Sequence, residues 1–138
     1  MNRLVIAVVL LCVSFSVHAF GPYVAQVSRV IDGDTLDVTV QLWPGLSQRV
    51  SVRISGIDAP ELKGATQCER DLAQQARTFV VDALLKAVVV RIADIKPDKF
   101  AGRVDAVVYV GDASLGDVLL LAGFAKPYTG GKRLPWCI

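Results

Sequence analysis

Two acidic knots and two arginines are the residues of this chain best suited to chemistry. The stretch Arg53-Ile54-Ser55-Gly56-Ile57-Asp58-Ala59-Pro60-Glu61 ends in a pair of carboxylates, and Asp32-Gly33-Asp34-Thr35 is an earlier acidic turn. Carboxylate and backbone carbonyl oxygens, with water, are the ligands a hard divalent cation takes. A guanidinium clamps a phosphate through planar N–H donors and stabilises the added negative charge of a five-coordinate transition state. Arg53 supplies that group, as does Arg103 after Gly102. Glu61, where it is not committed to the metal, is placed to accept a proton from an attacking water. Taken singly, each residue has a plainer role. Asp-Gly is a common turn pair, Asp58 suits a strand end, and Glu61, Arg53 and Arg103 suit a solvated surface. An EF-hand starting at Asp32 is excluded, because its sixth position is Asp37 rather than Gly and its twelfth is Trp43.

The acidic knots must therefore be brought together by the elements that carry them. Tyr23 to Ile31 is strand-like and ends at the Asp-Gly turn. Leu36, Val38, Val40 and Leu42 alternate with Asp37, Thr39 and Gln41, which predicts a second, half-buried strand. Pro44-Gly45-Leu46-Ser47 predicts a turn, and Gln48 to Ile57 a third strand with Val50, Val52 and Ile54 inward. Three strands joined by short turns form a meander in which the first and third finish at the same end. That topology places Asp32 and Asp34 beside Asp58 and Glu61. Thr66-x-x-Glu69 is a capping box that opens a helix, with Leu72, Ala76, Phe79, Val80, Ala83 and Leu84 on one face. Val88 to Ile92 and Val104 to Val110 read as strands four and five, with Lys96 to Gly102 a polar loop between them. Val118 to Leu121 lie in a short helix ending at Gly123, and Lys126 to Ile138 is an irregular tail. The expected class is α+β, mainly β: a five-stranded OB-type barrel with two to three helices.

The chain has 138 residues, enough for one ordinary domain. Arg3, the apolar run Leu4 to Val17, and Val17-His18-Ala19 before Phe20 read as a secretory signal peptide over 1–19, leaving a domain over 20–138. The alternative, a retained membrane anchor, asks a short run to span a bilayer. An exported protein, periplasmic or extracellular, follows, with no membrane anchor after cleavage; a monomer is expected. Cleavage removes Arg3 from the 15 basic side chains, so 14 face 13 acidic ones. That balance gives no long-range pull on a polyanion, and any nucleic-acid binding must be local. Cleavage also removes His18, the single histidine, which excludes Ser-His-Asp and Cys-His nucleophile sites and histidine-bound zinc. Cys68 and Cys137 remain, an even pair that in an exported protein reads as a disulfide; two buried thiols are the alternative.

Val30-Ile31-Asp32-Gly33-Asp34-Thr35-Leu36, Arg53 to Glu61, Gly102-Arg103 and Ala122-Gly123-Phe124-Ala125-Lys126 follow one another in order. Together they resemble the staphylococcal (thermo)nuclease family, over nearly the whole of the chain beyond the leader. The resemblance implies an OB-type barrel and calcium-dependent hydrolysis of DNA and RNA with little sequence specificity, leaving 3′-phosphate ends. By matching position it implies Asp34, Asp58 and the Ala59 carbonyl as calcium ligands, Asp32 in support, and Glu61 as general base or positioner of the water. Arg53 and Arg103 become phosphate clamps, and Lys99 and Tyr128 contacts to the nucleotide, the tyrosine by stacking. Two departures stand out. Ala59 offers a carbonyl without a hydroxyl, and the loop Asp98-Lys99-Phe100-Ala101-Gly102-Arg103 is one residue longer than the simplest family form. Two other functions fit the same fold: a catalytically silent nucleic-acid-binding barrel, and an interaction domain of the cell envelope.

Overall fold

In the computed structural model, residues 21–137 are described; the expected signal peptide lies outside them. Strands β1 (Tyr23–Asp32), β2 (Thr35–Trp43) and β3 (Leu46–Ile54) form the antiparallel meander. A two-residue strand, β4 (Ile57–Asp58), follows and leads to helix α1 (Gln67–Lys86). Then come β5 (Val90–Pro97), β6 (Arg103–Val110), the short β7 (Ala113–Ser114), α2 (Leu115–Leu121) and β8 (Lys126–Pro127). β1 pairs with β5, β5 with β6, and β6 runs parallel to β3, so five strands close into a barrel. With two helices among the described residues, this is the expected mainly-β OB-type architecture.

Strand alternation fills the barrel. Leu36, Val38, Val52, Ile54, Ile92 and Val108 are essentially inaccessible, and Val80 of α1 with Leu115 and Leu119 of α2 complete the core. Each such side chain contributes about 1.5–3 kcal/mol relative to exposure, as an upper estimate. Thr66 caps α1 by accepting from the Glu69 amide at 3.1 Å. The helix buries Ala73, Ala76 and Val80, with Phe79 half-buried against Phe124.

Several boundaries differ from the sequence expectation. The third strand starts at Leu46, because only Pro44 and Gly45 make the turn, and it stops at Ile54 rather than Ile57. Gly56, at φ +78°, bends the chain before β4 in a conformation that side chains rarely adopt. β5 runs on to Pro97 through the segment expected to be loop, its register shifting between Ala93 and Lys96 around Asp94 at φ 51°. Leu42 is exposed, as are Trp43 and Leu46, because the β2–β3 hairpin tip extends past the core. Asp37, expected to face solvent, is buried beneath Arg29, whose guanidinium meets its carboxylate at 2.7 Å. The tail is not wholly irregular: Lys126 and Pro127 pair with Asp58 and Ile57 before the chain loses regular structure. The Cys68–Cys137 disulfide is formed.

Candidate active site

The meander brings the two acidic knots together as its topology requires. Thr35 of β2 is in register with Arg53 of β3, and the Ile54 amide donates to the Asp34 carbonyl at 2.8 Å. Asp34 and Asp58 are both buried. The Asp34 carboxylate accepts from Thr35 Oγ1 and from the Ala59 amide, each at 2.9 Å, so the first acidic turn is tied directly to the second. Arg53 points away from the core and bridges the pair, with Nη1 3.3 Å from Asp34 and Nη2 3.8 Å from Asp58. Its Nη2 also donates to the Ile57 carbonyl at 3.2 Å.

Gly33 permits this close approach. A Cβ at that position would lie 2.9 Å from the Ala59 Cβ and 3.0 Å from the Ala76 Cβ, so the acidic turn, the β4 loop and α1 meet only over a glycine. Arg77 of α1 holds the same region by donating to the Val30 carbonyl at 3.0 Å. Asp32 is enclosed here with one carboxylate oxygen, Oδ1, lacking a hydrogen-bond partner. Burial, then the neighbouring Asp34 carboxylate, push its pKa up to about 7.

This donor set fits a calcium ion in chemical type: two buried carboxylates, the Ala59 carbonyl and a buried carboxylate oxygen without a partner are all hard oxygens. Asp34 and Asp58 nevertheless face Arg53. Among the described residues, no three His, Cys, Asp or Glu side chains converge closely enough to cage an ion. A second cation, Arg133 from the tail, lies on Asp58, the Ala59 carbonyl and Glu61. Its Nε donates to Asp58 Oδ1 at 2.7 Å, its Nη2 to the Ala59 carbonyl at 3.0 Å, and its Nη1 meets Glu61 Oε1 at 2.7 Å. Trp136 Nε1 donates to the other Asp58 oxygen at 3.2 Å. Burial works against the charge of Arg133, but Asp58, Glu61 and Glu69 outweigh it and hold its pKa above the usual arginine value.

The site opens into a groove of about 1140 Å³ whose walls include Arg53, Glu61, Lys99, Arg103, Tyr128 and Arg133. Arg103 is bound to Asp98 through Nε at 2.8 Å and Nη2 at 3.3 Å, while its guanidinium lies over the Phe100 ring at 4.5 Å. Arg103's hydrogen bonds hold the Asp98 carboxyl below its ordinary pKa. Neither bond to Asp98 uses Arg103 Nη1. Lys99 sits over Phe100 at 5.2 Å. Tyr128 lies beneath Arg53, 5.7 Å from ring centre to guanidinium, and its amide donates to the Gly56 carbonyl.

Asp34, Asp58, Ala59, Arg53 and Glu61 thus form one bonded cluster with Arg133, with Asp32 beneath it. Arg103 and Lys99 share the groove without a bond to that cluster, and Tyr128 meets it through the face of its ring under Arg53. Sequence reasoning missed Arg133, Trp136 and Asp98. The signal for the first two was Cys137. Bridged to Cys68 near the start of α1, it forces the preceding residues back across the mouth of the site.

The family model described as staphylococcal nuclease homologue matches residues 51–133. The chain is also similar to the micrococcal nuclease of Shigella flexneri, 35% identical over 107 residues that cover 78% of this chain and 53% of that protein. It therefore spans about half the length of the curated relative it matches. The family match takes in Arg53 through Arg133 and leaves the Asp32–Asp34 turn before it.

Proposed function

This chain belongs to the staphylococcal nuclease family, and from that premise we propose that it is a calcium-dependent nuclease that hydrolyses DNA and RNA with little sequence preference. The observation that carries the proposal is the pair of buried carboxylates, Asp34 and Asp58, joined by Arg53, which with Glu61 lines the adjoining groove. Burying two like charges around one arginine is costly. A silent binding barrel gains nothing from it, whereas a metal site requires it.

Asp34, Asp58 and the Ala59 carbonyl would hold calcium, with Asp32 supporting Asp34. When bound, the ion supplies polarisation of the scissile phosphate and neutralises its charge. Arg53 clamps a non-bridging phosphate oxygen and takes on more of its charge as the transition state develops. Arg103, on the wall of the same groove, acts through the donors that Asp98 leaves unused. Glu61 accepts a proton from the attacking water, whose oxygen bonds to phosphorus as the bond to the 5′ oxygen breaks. That oxygen takes a proton from solvent water and departs as a hydroxyl, and the phosphate stays on the 3′ side. Tyr128 stacks on a base, and Lys99 meets the strand near the groove mouth. Export to the periplasm or beyond suits the disulfide, and the reading assigns these steps to a monomeric domain over 20–138.

The test offers the protein linear and circular DNA, and RNA, in calcium and then in chelator. Cutting of the circle that chelator abolishes, and that Glu61→Ala and Arg103→Ala lose, supports the reading. Binding without cutting at saturating calcium overturns it. End-group analysis of the products decides which ester oxygen leaves.

A further inference from the structure

The catalytic reading leaves one basic group in the site without a task. Arg133 engages Asp58, the Ala59 carbonyl and Glu61 at 2.7–3.0 Å, and stands 3.8 Å from Glu69. The first two acceptors are those assigned to the cation, and the third is assigned to the water. A planar guanidinium with five donors can satisfy all three together. Arg133 is thus bound as a ligand would be, while 34% of its side chain stays in contact with solvent.

The segment carrying it is fastened on both sides. Upstream, Gly130 and Gly131 adopt positive φ of 108° and 87°, and Tyr128 Oη donates to the Gly131 carbonyl at 2.9 Å. Downstream, Lys126 donates to the Pro135 carbonyl and lies 4.4 Å from the Trp136 ring centre, Trp136 donates to Asp58, and Cys137 is bridged to Cys68. Only Leu134, Pro135 and Trp136 separate Arg133 from that bridge. No regular structure runs through 129–137 to prevent Arg133 from swinging out on these attachments.

We propose that the strap from Gly130 to Cys137 is a built-in plug, in which Arg133 is a tethered cation that competes with a divalent metal ion for Asp58, Ala59 and Glu61. The inference rests on the metal-binding reading of the site. Metal binds only molecules whose strap has withdrawn, so its apparent affinity is lowered by the fraction of open molecules. The return of Arg133 is an intramolecular step, and the disulfide shortens its tether, which keeps its local concentration high against free metal. Untying the strap should weaken the competition without altering any ligand. A purely structural Arg133, by contrast, would hold the acceptors in place, and its removal would loosen the metal site.

Calorimetric titration of the full chain with calcium chloride separates the two roles. Arg133→Gln keeps a polar side chain but removes the competing charge, and is expected to bind calcium about tenfold more tightly, the factor for a strap closed ten times as often as it is open. Cys68→Ser with Cys137→Ser is expected to shift affinity in the same direction by less. Folding of each variant is checked by circular dichroism at the titration temperature. Unchanged or weaker binding in folded Arg133→Gln overturns the plug. If that variant does not fold, unchanged binding in the serine pair overturns it. Equal calcium binding by all three proteins, with DNA cutting retained, removes the plug and leaves the catalytic reading standing. No calcium binding by any of them removes both.

Discussion

Replacing Arg53 by Gln probes the centre of the site, because one guanidinium there serves both the fold and the chemistry. Its two terminal nitrogens lie 3.3 Å from Asp34 and 3.8 Å from Asp58, the arginine side chain being 20% exposed and the two carboxylates 6% and 5%. With an effective dielectric of about 20, each contact has a gross attraction on the order of 4–5 kcal/mol. Desolvation of the three groups cancels most of that, and breaking a buried pair typically costs about 3–5 kcal/mol. Here Asp34 keeps its bonds from Thr35 and Ala59, and Asp58 keeps Arg133 and Trp136. The expected loss of stability is therefore smaller, about 1–3 kcal/mol in the absence of metal. The loss of rate has a different origin. A clamp aimed at charge that develops only in the transition state is worth about 10²–10³ in rate. Calcium should separate the two effects, since it neutralises the carboxylates that Arg53 now serves and cannot replace a donor on the far side of the phosphate. Urea unfolding with and without calcium, together with single-turnover cleavage of linear DNA at saturating calcium, measures both. A rate loss under about fivefold, or a stability gap of equal size in calcium and chelator, would refute the reasoning.

Opening the 69-residue separation by Cys68→Ser with Cys137→Ser should lower stability by up to about 4 kcal/mol in the chain-entropy picture, read as a lower urea midpoint. Gly33→Ala should cost about 1–3 kcal/mol by overpacking Ala59 and Ala76, and should weaken calcium binding because Asp34 is displaced with the turn; thermal unfolding and titration check the two parts. Tyr128→Ala should raise KM for single-stranded DNA, with kcat little changed, by the stacking energy of one base, about 1–3 kcal/mol. Asp98 is held below its ordinary pKa by Arg103, so its contribution to stability is present above the unfolded pKa of about 3.9 and is lost as pH falls through the lower folded value. Asp98→Asn should accordingly flatten the acid limb of the stability–pH curve, as followed by urea midpoints between pH 6 and about pH 2.

Period-two alternation was enough to read the barrel, because β2 and β3 each have one face in the core and one outside it. A single consequence of the meander, the shared end of β1 and β3, then placed Asp34 against Asp58. What escaped that reading depends on partners distant in sequence. Asp37 alternates like a solvent-facing residue, yet Arg29 from the neighbouring strand covers it. Leu42 has the right parity for the core but lies beyond the end of it. The polar segment after Ile92 stays in the sheet because a bulge at Asp94 absorbs the irregularity while Lys96 and Pro97 pair with Asp105 and Val104. Arg133 stands between two glycines and a proline in a stretch with no periodicity. Its place is set by a covalent bridge four residues on and by carboxylates some seventy positions earlier.

The two arginines on the acidic pair differ in how they are mounted. Buried carboxylates must have compensating charge whether or not metal is present, or the barrel end that holds them would come apart. Arg53 meets part of that need from within β3, between backbone pairings to β2 and β6, so its backbone is fixed in the barrel wall. Arg133 meets the rest from a strap that, among the described residues, has no strand pairing beyond Pro127. A charge that must stay through the reaction is carried by a strand, and one that must yield to an incoming cation is carried by a tether. The same requirement for neutrality, applied to the metal-free and the loaded site, accounts for both placements.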